Sequence, residues 1–240
     1  MQFGTVEFKP SLIPTITFLI VLPILLSLGN WQMNRASEKK LLDDDRTVKS
    51  QVEILDLNLT DEIVGVDRYR KASVKGKYLN DRFWLQDNQV FNNRAGYHVY
   101  SLLKLDSIEE KYILVNRGWV PVGLDRSILP NITTPHGLQI LKGRLDTAAS
   151  VGVKLGKPAY DLDKVVLYLD IDDFAQTLSL PIIQYALMLD EGEQGLYEYD
   201  WSQGAEMTPT KHVGYAFQWF ALATALIIIY IGVNTKRVKS

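Results

Sequence analysis

Residues 11–29 read SLIPTITFLIVLPILLSLG, and residues 213–233 read VGYAFQWFALATALIIIYIGV. Neither stretch carries a charged side chain. Each is about 20 residues long, and at ~1.5 Å per residue such a helix crosses the roughly 30 Å hydrocarbon core of a bilayer. Pro14 and Pro23 are compatible with a lipid-embedded helix whose freed carbonyls find partners, and Pro23 predicts a kink. Trp31 follows the first stretch, and Tyr215, Trp219 and Tyr230 sit towards the ends of the second, where interfacial aromatics belong. The first stretch is longer than the apolar region of a signal peptide and runs into LGNWQMNR without an A-x-A cleavage pattern, so it reads as an uncleaved anchor. Lys236, Arg237 and Lys239 close the second stretch as a basic stop.

These two blocks divide the chain. The expected organisation is a cytoplasmic N-terminus at 1–10, a first transmembrane helix at 11–30, an extracytoplasmic domain at 31–211, a second transmembrane helix at 212–233 and a basic cytoplasmic tail at 234–240. The orientation follows from the three basic residues of the tail, which belong on the cytoplasmic side. Arg35, Lys39 and Lys40 after the first span point the other way, but long loops translocate regardless of charge. The central domain is then outside, periplasmic in a bacterium or in the intermembrane space of a mitochondrion. No Arg-rich, Ser-rich presequence precedes the first span, which favours the bacterial plasma membrane.

The mean hydropathy of -0.04 averages two apolar ends with an ordinary soluble middle. A net charge of -2 gives no reason to expect nucleic acid as a partner. The absence of cysteine excludes disulfides, thiolate metal sites and cysteine nucleophiles.

Residues 32–49 are polar and charged and read as a helix leaving the membrane, followed by a linker. Strand signals dominate from there. Residues 70–79, 82–86, 97–105, 111–120, 138–145, 165–169 and 182–189 are the candidates, with a polar turn at 106–110 and Pro121 ending the fourth. Residues 172–178 (DDFAQTL) predict a short helix capped by Asp172. The expected fold is α+β: a mainly antiparallel sheet, curled into a partial barrel, with one small helix, between two transmembrane helices. Residues 191–210, rich in Gly, Tyr, Glu and Trp, read as a long loop returning to the membrane.

No H-E-x-x-H, G-x-S-x-G or glycine-rich phosphate loop occurs, so an enzyme is not expected. Of the three histidines, His98 falls in a predicted strand as a packed or surface side chain, and His136 in a solvated Thr-Pro-His-Gly turn. Asp172 and Asp173 fit a helix start better than acid–base catalysis. His212 stands apart, at the first turn of the second span. A neutral imidazole there can ligate heme iron, with Tyr215, Ala216 and Trp219 following at i+3, i+4 and i+7. The competing reading is an interfacial histidine reaching for lipid headgroups. A second face, Gly214, Gln218, Ala221 and Ala225, predicts close packing with the first helix or with a helix of another protein.

Four segments in order, LGNWQMNRASEKK (28–40), Tyr69-Arg70 with Val74 and Gly76, Gly96-Tyr97 with ILVNRGWVP (113–121), and HVGYAFQWFALA (212–223), resemble the surfeit locus protein 1 family. That family comprises assembly factors of heme-copper cytochrome c oxidase. The resemblance implies a protein that holds or delivers heme a, with cytochrome c oxidase subunit I, heme a synthase and membrane lipid as partners. It also implies that His212 is the histidine that meets the heme iron, with Tyr215 and Trp219 beside the ring. By the same analogy Arg117 neutralises a heme propionate, with a structural ion pair or a hydrogen bond to a backbone turn as its rival. Trp119 is a core side chain, a membrane-facing anchor or a ligand contact. The family's asparagine before the histidine is replaced here by Thr210-Lys211, and Lys211 is itself placed to meet a propionate or a lipid phosphate. Three other functions stand beside the carrier: a scaffold for nascent subunit I that never touches heme, an enzyme of heme modification, and a sensor.

Overall fold

The computed structural model describes residues 2–3, 6–60, 67–148, 158–161, 163–199, 201 and 207–237. In chain order the elements are β1 (Gln2–Phe3), β2 (Val6–Phe8), α1 (Leu12–Ser50), β3 (Leu55–Asp56), β4 (Lys71–Phe91), β5 (Arg94–Leu105), β6 (Tyr112–Pro121), β7 (Leu138–Asp146), β8 (Val165–Val166), α2 (Ile171–Leu178), β9 (Ile182–Leu189), α3 (Pro209–Asn234) and β10 (Thr235–Arg237). They form two units, residues 1–45 with 205–240, and residues 46–204.

The first unit is a pair of helices, both long and apolar enough to cross a membrane. α1 is continuous for 39 residues, with Pro23 inside it. The polar 32–49 segment therefore extends the anchor helix and supplies no linker before Ser50. Contacts between α1 and α3 run in opposite chain directions. His212 meets Gln32, Phe220 lies over Gly29, Tyr230 stacks on Phe18 at 4.3 Å and bonds Thr15 through its hydroxyl, and Asn234 reaches Ser11. The helices are thus antiparallel. The stretches 11–32 and 212–234 each rise roughly 32 Å, close to the hydrocarbon thickness.

Small residues make this approach possible. Gly29, Gln32 and Ala36 are buried on α1, and His212, Ala216 and Ala223 on α3. This corrects the face expected from sequence: Gly214, Gln218, Ala221 and Ala225 are all exposed. The seam lies one face over, because it must enclose the polar pair Gln32–His212 as well as small side chains. At the other end, Asn234, 1% exposed, accepts from the Ser11 backbone N–H at 2.7 Å and donates to the Tyr230 carbonyl at 2.8 Å. Just beyond, β10 pairs antiparallel with β2, and β2 with β1. Residues 6–8 and 235–237 therefore lie side by side.

The second unit is a barrel. β4 pairs with β5, β5 with β6, β6 with β9, β9 with β7, and β7 returns to β4. Of these five junctions only β6–β9 is parallel, and the short β3 and β8 also pair parallel with β4. This order, with the first strand shared across the closure, is that of an OB-type Greek-key barrel. The two strands expected at 70–79 and 82–86 are one bent strand, β4, which slips register between Tyr78 and Phe83 around the positive φ of Asp81. β8 is shorter than expected. α2 is capped by Asp170, whose carboxylate accepts from the Asp173 N–H, in place of the expected Asp172.

Alternation along the strands sends Val74, Tyr78, Leu103, Leu105, Ile113, Val115, Leu141 and Leu187 into one core cluster. The opposite face, with Trp84, Tyr100, Leu102 and Leu114, is covered by Phe174 of α2 and by Tyr160. Trp84 donates to the Tyr160 carbonyl at 2.9 Å and meets the Phe174 ring edge-on at 4.6 Å.

A Cβ at Gly29 would lie 2.5 Å from the Phe220 ring. Gly29→Val is expected to destabilise the detergent-solubilised protein by about 1–3 kcal/mol through overpacking. Adding Phe220→Ala should recover part of that loss, read as the thermal midpoints of the two single variants and the double.

Candidate functional site

The most ordered chemistry in the transmembrane unit is at its 32/212 end. Thr208 caps α3 by accepting from the Lys211 N–H, and Pro209 opens the helix with a preset φ. His212 then falls in the first turn and faces α1, 7% exposed. Its Nδ1 lies 2.7 Å from Oε1 of Gln32, itself buried. Gln32 is three residues after Gly29, so the glycine that admits Phe220 also brings the amide to the seam. Among the described residues no hydrogen bond reaches His212 Nε2.

Of the other residues singled out on α3, Trp219 is half-buried two turns along, Tyr215 is 46% exposed and Lys211 is exposed. Ala216, at i+4, carries the seam inward. Gln32 was missed as a site residue by sequence reasoning. Its signal was a strongly polar side chain one residue after the interfacial Trp31, just past an uncharged run, where an unpaired amide is costly.

Arg117 belongs to the other unit. It is 1% exposed, and its guanidinium is held entirely by protein. Nε donates to the Gly195 carbonyl at 2.9 Å, Nη1 to Ser101 Oγ at 3.2 Å and Nη2 to the Thr133 carbonyl at 2.6 Å. The rings of Tyr78 and Tyr197 lie 5.5 and 5.1 Å from its carbon. Among the described residues no carboxylate pairs with it. Arg117, which the family resemblance set against a propionate, here ties the chain at 133 and 195 to the barrel.

The NRGW sequence explains how. Asn116 Oδ1 accepts from the Gly118 N–H at 3.0 Å, and Gly118 takes φ +97°, which side chains disfavour. The resulting bulge in β6 keeps Arg117 on the core side while Val120, three residues on, also joins the interior cluster with Leu85, Tyr97 and Val99. Trp119 projects to the other face of β6, buried against Gly96 and Phe91, with its indole N–H donating to the Gln89 carbonyl at 3.1 Å. It is a core side chain. The Trp119 N–H and the Tyr197 N–H bond the Glu198 and Arg117 carbonyls, pinning residues 197–198 to β6.

His98 is half-buried on the covered side of the barrel, with Trp201 edge-on at 6.1 Å and no partner for Nδ1. Burial pushes its imidazole down to about 4. His136 is exposed. Among the described residues no three His, Cys, Asp or Glu side chains converge to hold a metal ion. A heme brings four ring nitrogens of its own, so one histidine with a free nitrogen is a sufficient protein contribution. His212 fits that requirement.

A model of the SURF1 family matches residues 19–224. A SURF1-like protein of Rickettsia felis is 30% identical over 236 residues, covering 93% of this chain and 96% of the relative. A SURF1-like protein of Rickettsia bellii is 29% identical over 231 residues, covering 90% of this chain and 88% of the relative.

Two outcomes are expected. Arg117→Met, which strands the carbonyls of Gly195 and Thr133, should lower stability by about 1–3 kcal/mol in heme-free protein, and Arg117→Lys should not restore it, because an ammonium cannot span three acceptors. For His98, the unfolded chain takes up a proton near pH ~6.5 and the folded chain only near 4, so stability is full above pH ~6.5 and falls towards pH 4. The loss is of order 1–3 kcal/mol, and His98→Leu should remove it from a series of urea midpoints taken against pH.

Proposed function

This chain belongs to the SURF1 family, and from that premise we propose that it holds heme a at a membrane boundary and passes it to subunit I of a heme-copper cytochrome c oxidase. Family membership carries the broader role in cytochrome c oxidase assembly. The finer reading rests chiefly on one observation: a buried histidine at the end of a transmembrane helix pair, with Nδ1 engaged and Nε2 without a hydrogen-bond partner among the described residues. An imidazole in that state is a ready axial ligand. Tyr215 and Trp219 supply flat apolar surface one and two turns along α3, and Lys211 supplies a cation for a propionate.

In this reading heme a is cargo. A single protein ligand suits a carrier, which must release what it binds. Heme a synthase would supply the cargo and subunit I would take it, in the plasma membrane of a bacterium, with the barrel on the periplasmic side. Residues 6–8 and 235–237 pair in one small sheet, which supports a two-span hairpin. The chain acts without catalysing a reaction of its own.

A second reading is favoured by the exposed α3 face of Gly214, Gln218, Ala221 and Ala225. Small residues and one amide on a lipid-facing surface suit a partner helix, as a scaffold for nascent subunit I requires. The two readings separate in one experiment. The detergent-purified protein, coexpressed with a heme a synthase, is taken through an optical spectrum and a pyridine hemochrome assay beside His212→Ala. Heme a in the wild type, with loss or a shifted spectrum in the variant, is the carrier result. Colourless protein that still captures subunit I is the scaffold result. Heme held equally by both would remove His212 from the site.

A further inference from the structure

We propose that Gln32 is the positioning residue of this site: it fixes His212 as the Nδ1–H tautomer and so leaves Nε2 as the ligating nitrogen. The consequence for iron rests on the carrier reading, whereas the tautomer itself does not. Oε1 of Gln32 lies 2.7 Å from Nδ1 of His212, and an amide oxygen only accepts. With the amide in this orientation Nδ1 carries the proton, and a neutral ring then has its lone pair on Nε2. Histidine free in water prefers the opposite arrangement, with the proton on Nε2, in which the ligating nitrogen would be Nδ1, hemmed in beside its own backbone.

The surroundings hold this choice in place. Both side chains are buried in the seam, and its small buried residues among those described, Gly29, Ala36, Ala216 and Ala223, carry no side-chain acceptor. In that low-dielectric setting a lost partner is not replaced by water at small cost. Histidines that ligate metals commonly donate their second N–H to a fixed acceptor, which orients the ring and raises the basicity of the ligating nitrogen. Here the acceptor comes from α1 and the ligand from α3, 180 residues apart in sequence. The site therefore exists only when the two membrane helices are paired.

The test uses the full chain in lipid nanodiscs, labelled with 15N-histidine and free of heme, at a pH where imidazole is neutral. The His212 signals are those lost in His212→Ala. We expect a protonated Nδ1 and an unprotonated Nε2 in the wild type. Gln32→Met, close in volume but without an acceptor, should move the proton to Nε2, and Gln32→Glu should keep it on Nδ1. Hemin titration of the same samples should show binding about 10–100-fold weaker in Gln32→Met and restored in Gln32→Glu. Matching unfolding midpoints exclude a general loss of structure, which would not move a proton between ring nitrogens. A wild-type His212 protonated on Nε2, or a tautomer unchanged in folded Gln32→Met, would overturn the proposal. The expected tautomers in a wild type that binds neither hemin nor heme a would overturn the carrier reading and leave the role of Gln32 standing.

Discussion

A polar group in a lipid-embedded helix must find its partner inside the protein, because hydrocarbon offers none. Two such groups organise the transmembrane unit. Asn234 closes one end of the helix pair on the Ser11 and Tyr230 backbones, and Gln32 closes the other on His212. Between these clasps the helices meet through glycine, alanine and aromatic rings, which pack well but specify register poorly. The clasps supply register: each has one geometry, about a membrane thickness from the other. A one-residue slip would separate both pairs at once.

The same accounting explains the site. His212 is buried by a seam that must also satisfy its polar edges, and Gln32 satisfies one of them. What is left is a single imidazole nitrogen with nothing in the described chain bound to it. Strength of packing and availability of a ligand thus come from one arrangement. In the barrel the logic differs. Arg117 is buried without a carboxylate among the described residues, and its charge is spread over two carbonyls, a hydroxyl and two aromatic faces. It works as a tie between β6 and the chain at 133 and 195, and its chemistry is spent inside the protein.

Much of this was legible in the sequence. The two spans follow from uncharged length, and β5, β6, β7, β9 and α2 follow from alternation and from turn residues near their observed ends. What was not legible is pairwise. The bend that makes one strand of 71–91 depends on Asp81 taking a positive φ, which no local propensity requires. Closure of the barrel depends on β7 finding β4, more than 60 residues away by sequence. The helix seam was placed one face off because Ala221 and Ala225 have the same small side chains as Ala216 and Ala223; only the partner of His212 distinguishes the faces. Arg117 was legible as important but not in kind, since a buried arginine bound to carbonyls and one bound to a propionate are identical in sequence.

The central claim is that His212 meets iron through a histidine nitrogen set by the helix pair. The direct measurement is the hyperfine coupling of ferric heme bound to the purified full-length chain grown on 15N-histidine. The account predicts a coupling to one histidine nitrogen that disappears in His212→Ala. Heme bound with no histidine coupling, or with a coupling that survives in His212→Ala, would contradict it.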